Sequence, residues 1–483
     1  MGTVNKHSVR DEFDHLKSTF KQLTSENKVS PECKLLLDGF IVLFELILSI
    51  FLEKKTKKTS SNSSKPPSQT EKDDSSLGHL GKKGKGKKET STQAANTRTV
   101  ETVTTLPVTV CDQCGAALDK VACQCVERRT LIDIVFEKTV RHVDAEIKTC
   151  PACHKKVKGQ HPQDMPGPLQ YGNGIKAYVV HLLVSQMISL KRIQKMMRTL
   201  IGQTLSEATL LCYVIQLYLA LEQWEVWAED ELLKQPNLHV DETSLRVDKK
   251  NYWIHVHSSG DITLKHLHKK RGTEAMNAIN IIPRYSGVLI HDCWASYLSY
   301  GNCSHGLCGS HLLRELTFIV DSNGYRWAKN IKSLLKEACP QVSKSPEKTL
   351  TRKSYARLQR RYRNILTRGE KELPPIPEKR SGRRGKIAKS DAHNLLERLK
   401  KYEKSVLLFA KNPYVSFTNN RAERDLRMDK VKQKVSGCFR TEKYAKAHCR
   451  ISSYLQTMAN KGYNPMIAIQ MALTGEIYTS WGE

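Results

Sequence analysis

The chain has 483 residues, with 78 Lys and Arg against 49 Asp and Glu, for a formal charge of +29. That length accommodates several domains with cores of their own and excludes a short histone-like or ribosomal binder. The cation excess selects polyanionic partners, nucleic acid first, and says nothing of fold.

No charged, apolar and small signal pattern opens the chain. Residues 8–30 are polar with helical spacing, and Pro31 interrupts them. Leu35 to Leu52 then reads LLLDGFIVLFELILSIFL. Asp38 and Glu45 inside it would each cost about 2.5–3.5 kcal/mol at a bilayer centre, so it makes a poor membrane span. It reads instead as a self-associating helix that buries Phe40, Leu43, Ile47 and Ile50 against a partner. Residues 53–104 are rich in Lys, Ser, Thr, Gly and Pro, and they bury too little apolar surface to offset the entropy of ordering. They form a linker whose lysines can follow DNA phosphates without sequence preference.

Of the 14 cysteines, several fall in C-x-x-C pairs, which favours a reducing compartment and a metal site over secreted disulfides. Cys111 and Cys114 form one pair, Cys150 and Cys153 another, each able to offer two thiolates to one tetrahedral Zn²⁺. Cys123 and Cys125 are alternative ligands, with His154 and His161 as outsiders. Between the pairs, residues 130–147 alternate like two strands. Residues 172–222 read as three helices, 172–188, 190–200 and 206–222, with Gly202 at the turn between the last two. That spacing fits a helix-turn-helix, although the would-be recognition helix is very apolar for a reader of bases.

After Pro236 the period changes from helical to alternating. Residues 238–247, 251–259 and 262–268 read as an antiparallel meander, followed by a helix at 273–281 and a buried strand at 287–291. A short helix at 295–300, a further strand and a helix from about Ser310 complete a ribonuclease H-like order, a mixed sheet with helices on its faces. Residues 325–410 are helical and basic, an inserted subdomain carrying the loop PPIPEKRSGRRGKIAKSD. A final helix falls near 465–473.

Three acids stand out by position: Asp241 within the first strand, Asp292 at the end of the fourth, and Glu423 at the start of a late helix. The first and fourth strands are neighbours in such a sheet, so the acids can converge. Three clustered carboxylates repel one another and need divalent cations, and hard oxygens suit Mg²⁺ or Mn²⁺. Two such ions about 3.5–4 Å apart would serve an in-line phosphoryl displacement. Glu242 competes with Asp241 but points to the opposite face of a regular strand. Cys303, His305, Cys308 and His311 also have metal-like spacing, though core packing accounts better for their place in a strand and a helix start. His311 can contact a phosphate or one of the acids.

The stretch NNRAERDLRMDKVKQKVSGCFRT, 419–441, reads as a helix of roughly four turns, capped by Asn419 or Asn420 and ended by Gly437. It surrounds Glu423 with Arg421, Arg424, Arg427, Lys430, Lys432 and Lys434, a wall that would hold DNA phosphates.

These blocks resemble the insertion sequence 66 family of DDE transposases over nearly the whole length. The resemblance rests on NSSKPPSQ, LPVTVCDQCGAAL, CPACHK, PGPLQYGNGIKAYVVHLLVSQMISLKRIQKMM, LHVDETSLRV, LIHDCWASY, CGSHLLREL and, most specifically, the stretch from Asn419 to Thr441. It implies a DNA-cutting and joining enzyme whose acidic triad falls on Asp241, Asp292 and Glu423 and whose zinc module falls on Cys111, Cys114, Cys150 and Cys153. The Cys123/Cys125 pair departs from the family pattern.

The expected architecture is multidomain α+β. It comprises an N-terminal self-association helix (1–52), the linker (53–104), a small zinc-binding module (105–165) and a helical, DNA-binding domain (166–235). A ribonuclease H-like α/β catalytic core in two parts (236–324 and 413–483) follows, interrupted by the inserted helical subdomain (325–412). The implied partners are double-stranded DNA at element ends and target, further copies of the chain and accessory proteins of the same element, with no membrane. The implied location is the bacterial cytoplasm, at the nucleoid. Readings from other classes are a DNA-binding regulator or domesticated relic without chemistry, and a structure-selective nuclease that cuts but never joins.

Overall fold

The alternation after Pro236 becomes the centre of the chain in a computed structural model, which describes residues 6–26, 28–55, 102–132, 137–376 and 389–476. Most of the expected linker and residues 377–388 of the basic loop lie outside the described residues, as do the side chains of Ile47 and Ile50.

Two helices open the chain, α1 (Lys6–Ser25) and α2 (Pro31–Lys55). Pro31 suits the first turn of α2, where its missing N–H costs no helical bond. Phe13 of α1 stacks on Phe44 of α2 at 5.5 Å. Phe40 and Leu43 stay exposed. No helix among the described residues is long and apolar enough to cross a membrane.

A small hairpin follows, β1 (Ile147–Thr149) with β2 (Lys156–Lys158). The strands expected at 130–147 do not form among the described residues there, apart from Ile147. Leu131, Ile132 and Val140 are exposed, with no sheet face to bury them. Then come α3 (Asn173–Val180), which runs on into a π turn at His181–Ser185, α4 (Leu190–Ile201), α5 (Glu207–Ala220) and α6 (Glu222–Leu233), the last unexpected from sequence. Gly202 takes the left-handed conformation that ends α4, with φ 68°. Ser206 caps α5 by accepting the Thr209 N–H at 3.0 Å.

Next are β3 (Asn237–Val247), β4 (Lys250–Ser259), β5 (Ile262–His268), α7 (Thr273–Ile279), β6 (Val288–His291), α8 (Ala295–Leu298) and β7 (Ser304–Leu307). They form one mixed sheet in the order β5-β4-β3-β6-β7, antiparallel from β3 through β5 and parallel from β3 through β7. The expected neighbouring of first and fourth strands is therefore present.

The helices α9 (Gly309–Asn323), α10 (Arg326–Lys344), α11 (Arg352–Glu372), α12 (Asp391–Lys401) and α13 (Glu403–Val406) follow. Their apolar faces share one cluster with Val288 and Ile290 of β6 and Leu307 of β7, so this helical stretch caps the parallel side of the sheet. The chain closes with α14 (Asn420–Asp425), α15 (Arg427–Ser436), α16 (Glu442–Asn460) and α17 (Pro465–Thr474).

The chain divides into two compact units. One comprises residues 1–86 and 227–430, and holds the sheet; the other comprises 87–226 and 431–483. In the second, α5 packs against α3, α16 and α17. Trp224 meets Tyr454 edge-on at 5.2 Å, and Arg450 pairs with Glu225 at 2.6 Å while lying over the Tyr218 ring. This packing explains the apolar character of α5: Leu210, Tyr213, Val214 and Leu217 are buried in a helical bundle.

Candidate functional site

The parallel ladder between β3 and β6 ends at His239 opposite Ile290. Two residues further along each chain stand Asp241 and Asp292, so the same register sets them side by side, and matched positions of parallel strands share a face. Asp292 lies just past β6 and turns back, its Oδ1 accepting the Trp294 N–H at 3.1 Å. Burial pushes the Asp241 carboxyl up to about 8, and the charges of Glu242 and Asp292 act in the same direction.

Glu242 is engaged elsewhere. Its Oε1 accepts from Arg271 Nη2 at 2.6 Å and Nε at 2.9 Å, and its Oε2 accepts the Tyr297 hydroxyl. Arg271 lies over the Trp253 ring at 4.9 Å and the Trp294 ring at 4.2 Å. Burial raises the Glu242 carboxyl, as does Asp292, while Tyr297 and Arg271 pull it down. An acid so fully partnered buttresses the strand.

Glu423 reaches the same region because α14 is keyed to the sheet by buried polar groups. Asn419 donates from Nδ2 to the Val240 carbonyl at 2.7 Å, and its Oδ1 lies 2.9 Å from His239 Nδ1. Asp425 Oδ2 accepts the hydroxyls of Ser258 at 2.8 Å and Thr263 at 3.0 Å. Asp429 pairs with Lys265 at 2.9 Å, both fully buried. His239 and Asp241 share a face of β3, so a helix start held on His239 overlies Asp241. The expected side-chain cap by Asn419 is therefore absent, because the amide is spent on the sheet. The single expected helix is interrupted at Leu426, and Gly437, with φ 73°, follows its end.

From the other side, Gly309 ties α9 to the same segment. Its N–H donates to the Phe417 carbonyl at 2.7 Å, and an added Cβ would stand 2.3 Å from the Phe417 ring. Cys308 and His311 are thereby set beside Glu423. His311 Nδ1 lies 3.6 Å from Glu423 Oε1, and Cys308 Sγ accepts the Asn419 N–H at 3.1 Å. Burial alone would lower His311, but Cys308, Glu423 and Asp292 raise it to about 9. Burial alone would raise the Cys308 thiol, but the adjoining His311 brings it below its ordinary value. Ligand atoms of Cys308, His311 and Glu423 all lie within 4.8 Å of one another. The structure thus sets Asp241 beside Asp292, and Glu423 next to a histidine that feels Asp292.

Of the expected spacing Cys303, His305, Cys308 and His311, only the last two meet. His305 instead bonds His291 at 3.0 Å and the Tyr300 carbonyl at 2.8 Å. Glu423 is the third member, invisible in sequence because it lies more than a hundred residues away.

The cations around Glu423 divide. Arg424, Arg427, Lys430 and Lys434 are exposed. Arg421 is half-buried and donates to the Ile262 carbonyl at 3.3 Å. Lys432, expected among the exposed cations, is instead buried, with its ammonium 5.8 Å from the Phe439 ring centroid. It stands three residues after the buried Asp429, on the same inward side of the helix. Sequence reasoning misses a second cationic face: Lys191, Arg192, Lys195 and Arg198 are exposed on α4, while Ile193 and Met197 are buried behind them. The period of that helix carries the signal.

Both cysteine pairs form tight turns of the same design. Gly115 N–H donates to the Cys111 carbonyl at 3.0 Å and His154 N–H to the Cys150 carbonyl at 2.9 Å, with positive φ at Gly115 and His154. Amides of Cys114 and Gln113 lower the Cys111 thiol, and those of Cys153 and Ala152 lower Cys150. Among the described residues, however, the two pairs are not gathered into one group of ligand atoms.

The family described as Transposase IS66 matches residues 168–447, more than half of the chain, from just before α3 into α16. Asp241, Asp292 and Glu423 fall inside the match and the cysteine turns outside it. No curated protein matches the chain.

Proposed function

We propose that this chain, which belongs to the IS66 family of transposases, binds the terminal inverted repeats of an insertion sequence, cuts a phosphodiester at each end and joins the freed 3′-hydroxyls to target DNA. The observation that supports this reading is the parallel register of β3 and β6, interior strands of the mixed sheet, which sets Asp241 beside Asp292, with Glu423 3.6 Å from His311, a histidine whose basicity Asp292 raises.

The donor set fits Mg²⁺ or Mn²⁺. It offers hard carboxylate oxygens, and burial together with the charges of Glu242 and Asp292 raises the Asp241 carboxyl to about 8, a crowding of acids that a cation would relieve. Asp241 and Asp292 would hold such ions, with Glu423 completing the set. When bound, they supply Lewis acidity at the scissile phosphate. The protein's own part is to place Asp241 and Asp292 through the β3–β6 register and Glu423 through the Asn419, Asp425 and Asp429 anchors, and to bind phosphates with Arg424, Arg427, Lys430 and Lys434. Asp241 would hold such a cation as the carboxylate, without the proton it keeps up to about 8. The Cys111–Cys114 and Cys150–Cys153 turns are proposed as zinc ligands once drawn together. The exposed Phe40 and Leu43 on α2 are proposed to join copies of the chain, which would work at the nucleoid with accessory proteins of the element.

A strand-transfer assay with element ends and Mg²⁺ tests this. Asp241→Ala, Asp292→Ala and Glu423→Ala should each abolish cutting and joining while end binding persists. Folded variants that join at the wild-type rate would refute the mechanism.

A further inference from the structure

We infer that Cys308, His311 and Glu423 form a zinc site, separate from the cysteine turns, whose occupation draws Glu423 away from the hard-metal acids. Cys308 and His311 lie three residues apart at the start of α9, so one helical turn offers a sulfur and an imidazole to the same point. Glu423 supplies an oxygen from α14, and the three ligand atoms lie within 4.8 Å. Closing them to Zn–S of about 2.3 Å and Zn–N and Zn–O of about 2.0–2.2 Å needs only small side-chain movements.

Two further observations point to a ligand. His311 Nδ1 and Glu423 Oε1 are both enclosed, and neither has a hydrogen-bond partner, because 3.6 Å is too long for one. Enclosed polar atoms left facing each other in this way are costly unless something stands between them. The Asn419 N–H donates to Cys308 Sγ at 3.1 Å, an outer hydrogen bond of the kind that orients a metal-bound thiolate. A sulfur, a nitrogen and an oxygen suit Zn²⁺, whereas Mg²⁺ rarely accepts sulfur or imidazole. Zinc binding needs these residues alone. The consequence for catalysis, that zinc and the hard ion compete for Glu423, rests on the function proposed above.

The test uses the full chain with Cys111, Cys114, Cys150 and Cys153 changed to Ser, so that the turns bind nothing. After equilibration with Zn²⁺ and gel filtration, elemental analysis should find one zinc per chain. Cys308→Ser or His311→Gln added to that background should remove it. Co²⁺ in place of Zn²⁺ should give a thiolate charge-transfer band that Cys308→Ser abolishes. Should that variant unfold, alkylation of Cys308 in the otherwise unchanged chain gives the same reading, slowed at least tenfold by Zn²⁺. No zinc in the four-serine chain, or zinc indifferent to both further changes, would overturn the site. In strand transfer with Mg²⁺ held constant, added Zn²⁺ should inhibit the wild type. Zinc bound without inhibition would keep the site and reject the competition, and a wild type inactive with Mg²⁺ alone would count against the proposed function instead.

Discussion

Asp241 carries a carboxyl raised to about 8, against about 3.9 for an unperturbed aspartate, so at pH 7 the folded, metal-free protein keeps a proton there that the unfolded chain has lost. The linkage has a definite sign. Between those two values the native state binds more protons than the unfolded one, so this group's stabilisation is present at low pH and lost as pH rises toward about 8. His311, raised to about 9, adds a second loss at the upper end of the range. Urea unfolding in a chelator should therefore show stability falling from pH 5 to pH 8. Asp241→Asn should flatten that slope and leave the variant more stable than the wild type at pH 8. Under the proposed function, a divalent cation held by Asp241 would take the place of the proton. Calorimetric titration with Mn²⁺ at pH 7, in buffers of different ionisation enthalpy, should register close to one proton released per site filled. Asp241→Asn should release none. A wild type that binds the ion without proton release would show that Asp241 is ionised beforehand.

At the scale of the element, the α14–α15 segment is held to the sheet chiefly by the buried side chains of Asn419, Asp425 and Asp429. Asp429→Ala leaves the Lys265 ammonium buried without its carboxylate and should cost on the order of 3–5 kcal/mol. A paired Lys265→Met, Asp429→Leu variant should recover most of that, by denaturant unfolding. Asn419→Ala should cost about 1–3 kcal/mol and lower the cutting rate with little change in end binding, because it loosens the helix start rather than the grip on phosphate. These anchors mark where sequence reading stops. Alternation from 238 to 268, the short apolar run before Asp292 and the turn residues make the strands and their neighbours legible, because period and length are local properties. Asn419 reads as a cap, since Asn before a helix is one locally. Its use on Val240 and His239, nearly 180 residues earlier, is a tertiary interaction that local pattern does not encode. The same holds for Lys432, which has the composition of a surface helix and the position of an inner face. Residues 130–147 alternate as strands do, yet without a neighbour to bury one face the alternation decides nothing.

For the whole molecule, the charge of +29 favours the DNA partner proposed above, and the salt response of that binding reports how many phosphates the chain neutralises. Each phosphate neutralised by a Lys or Arg releases condensed counterions, so the logarithm of the affinity falls with the logarithm of salt concentration by about 0.9 per phosphate on duplex DNA. The distribution of exposed cations says which residues contribute. On α4, Lys191, Arg192, Lys195 and Arg198 lie on the solvent side of a helix anchored by Ile193 and Met197, whereas α5 spends its surface on α3, α16 and α17. If residues 172–222 include a DNA-binding element, the helix that meets phosphate is thus α4. Changing the four cations to Ala should leave the bundle folded, since none is buried. The change should lower the salt slope of duplex binding by about one for each phosphate no longer neutralised, a combined change of about two to four. Because cations on phosphate position the protein without reading sequence, affinity for element ends and for unrelated duplex should fall by similar factors. Binding measured by anisotropy over a range of salt concentrations gives both quantities. A slope unchanged by all four substitutions would remove α4 from the interface and leave Arg424, Arg427, Lys430 and Lys434 to hold the phosphates.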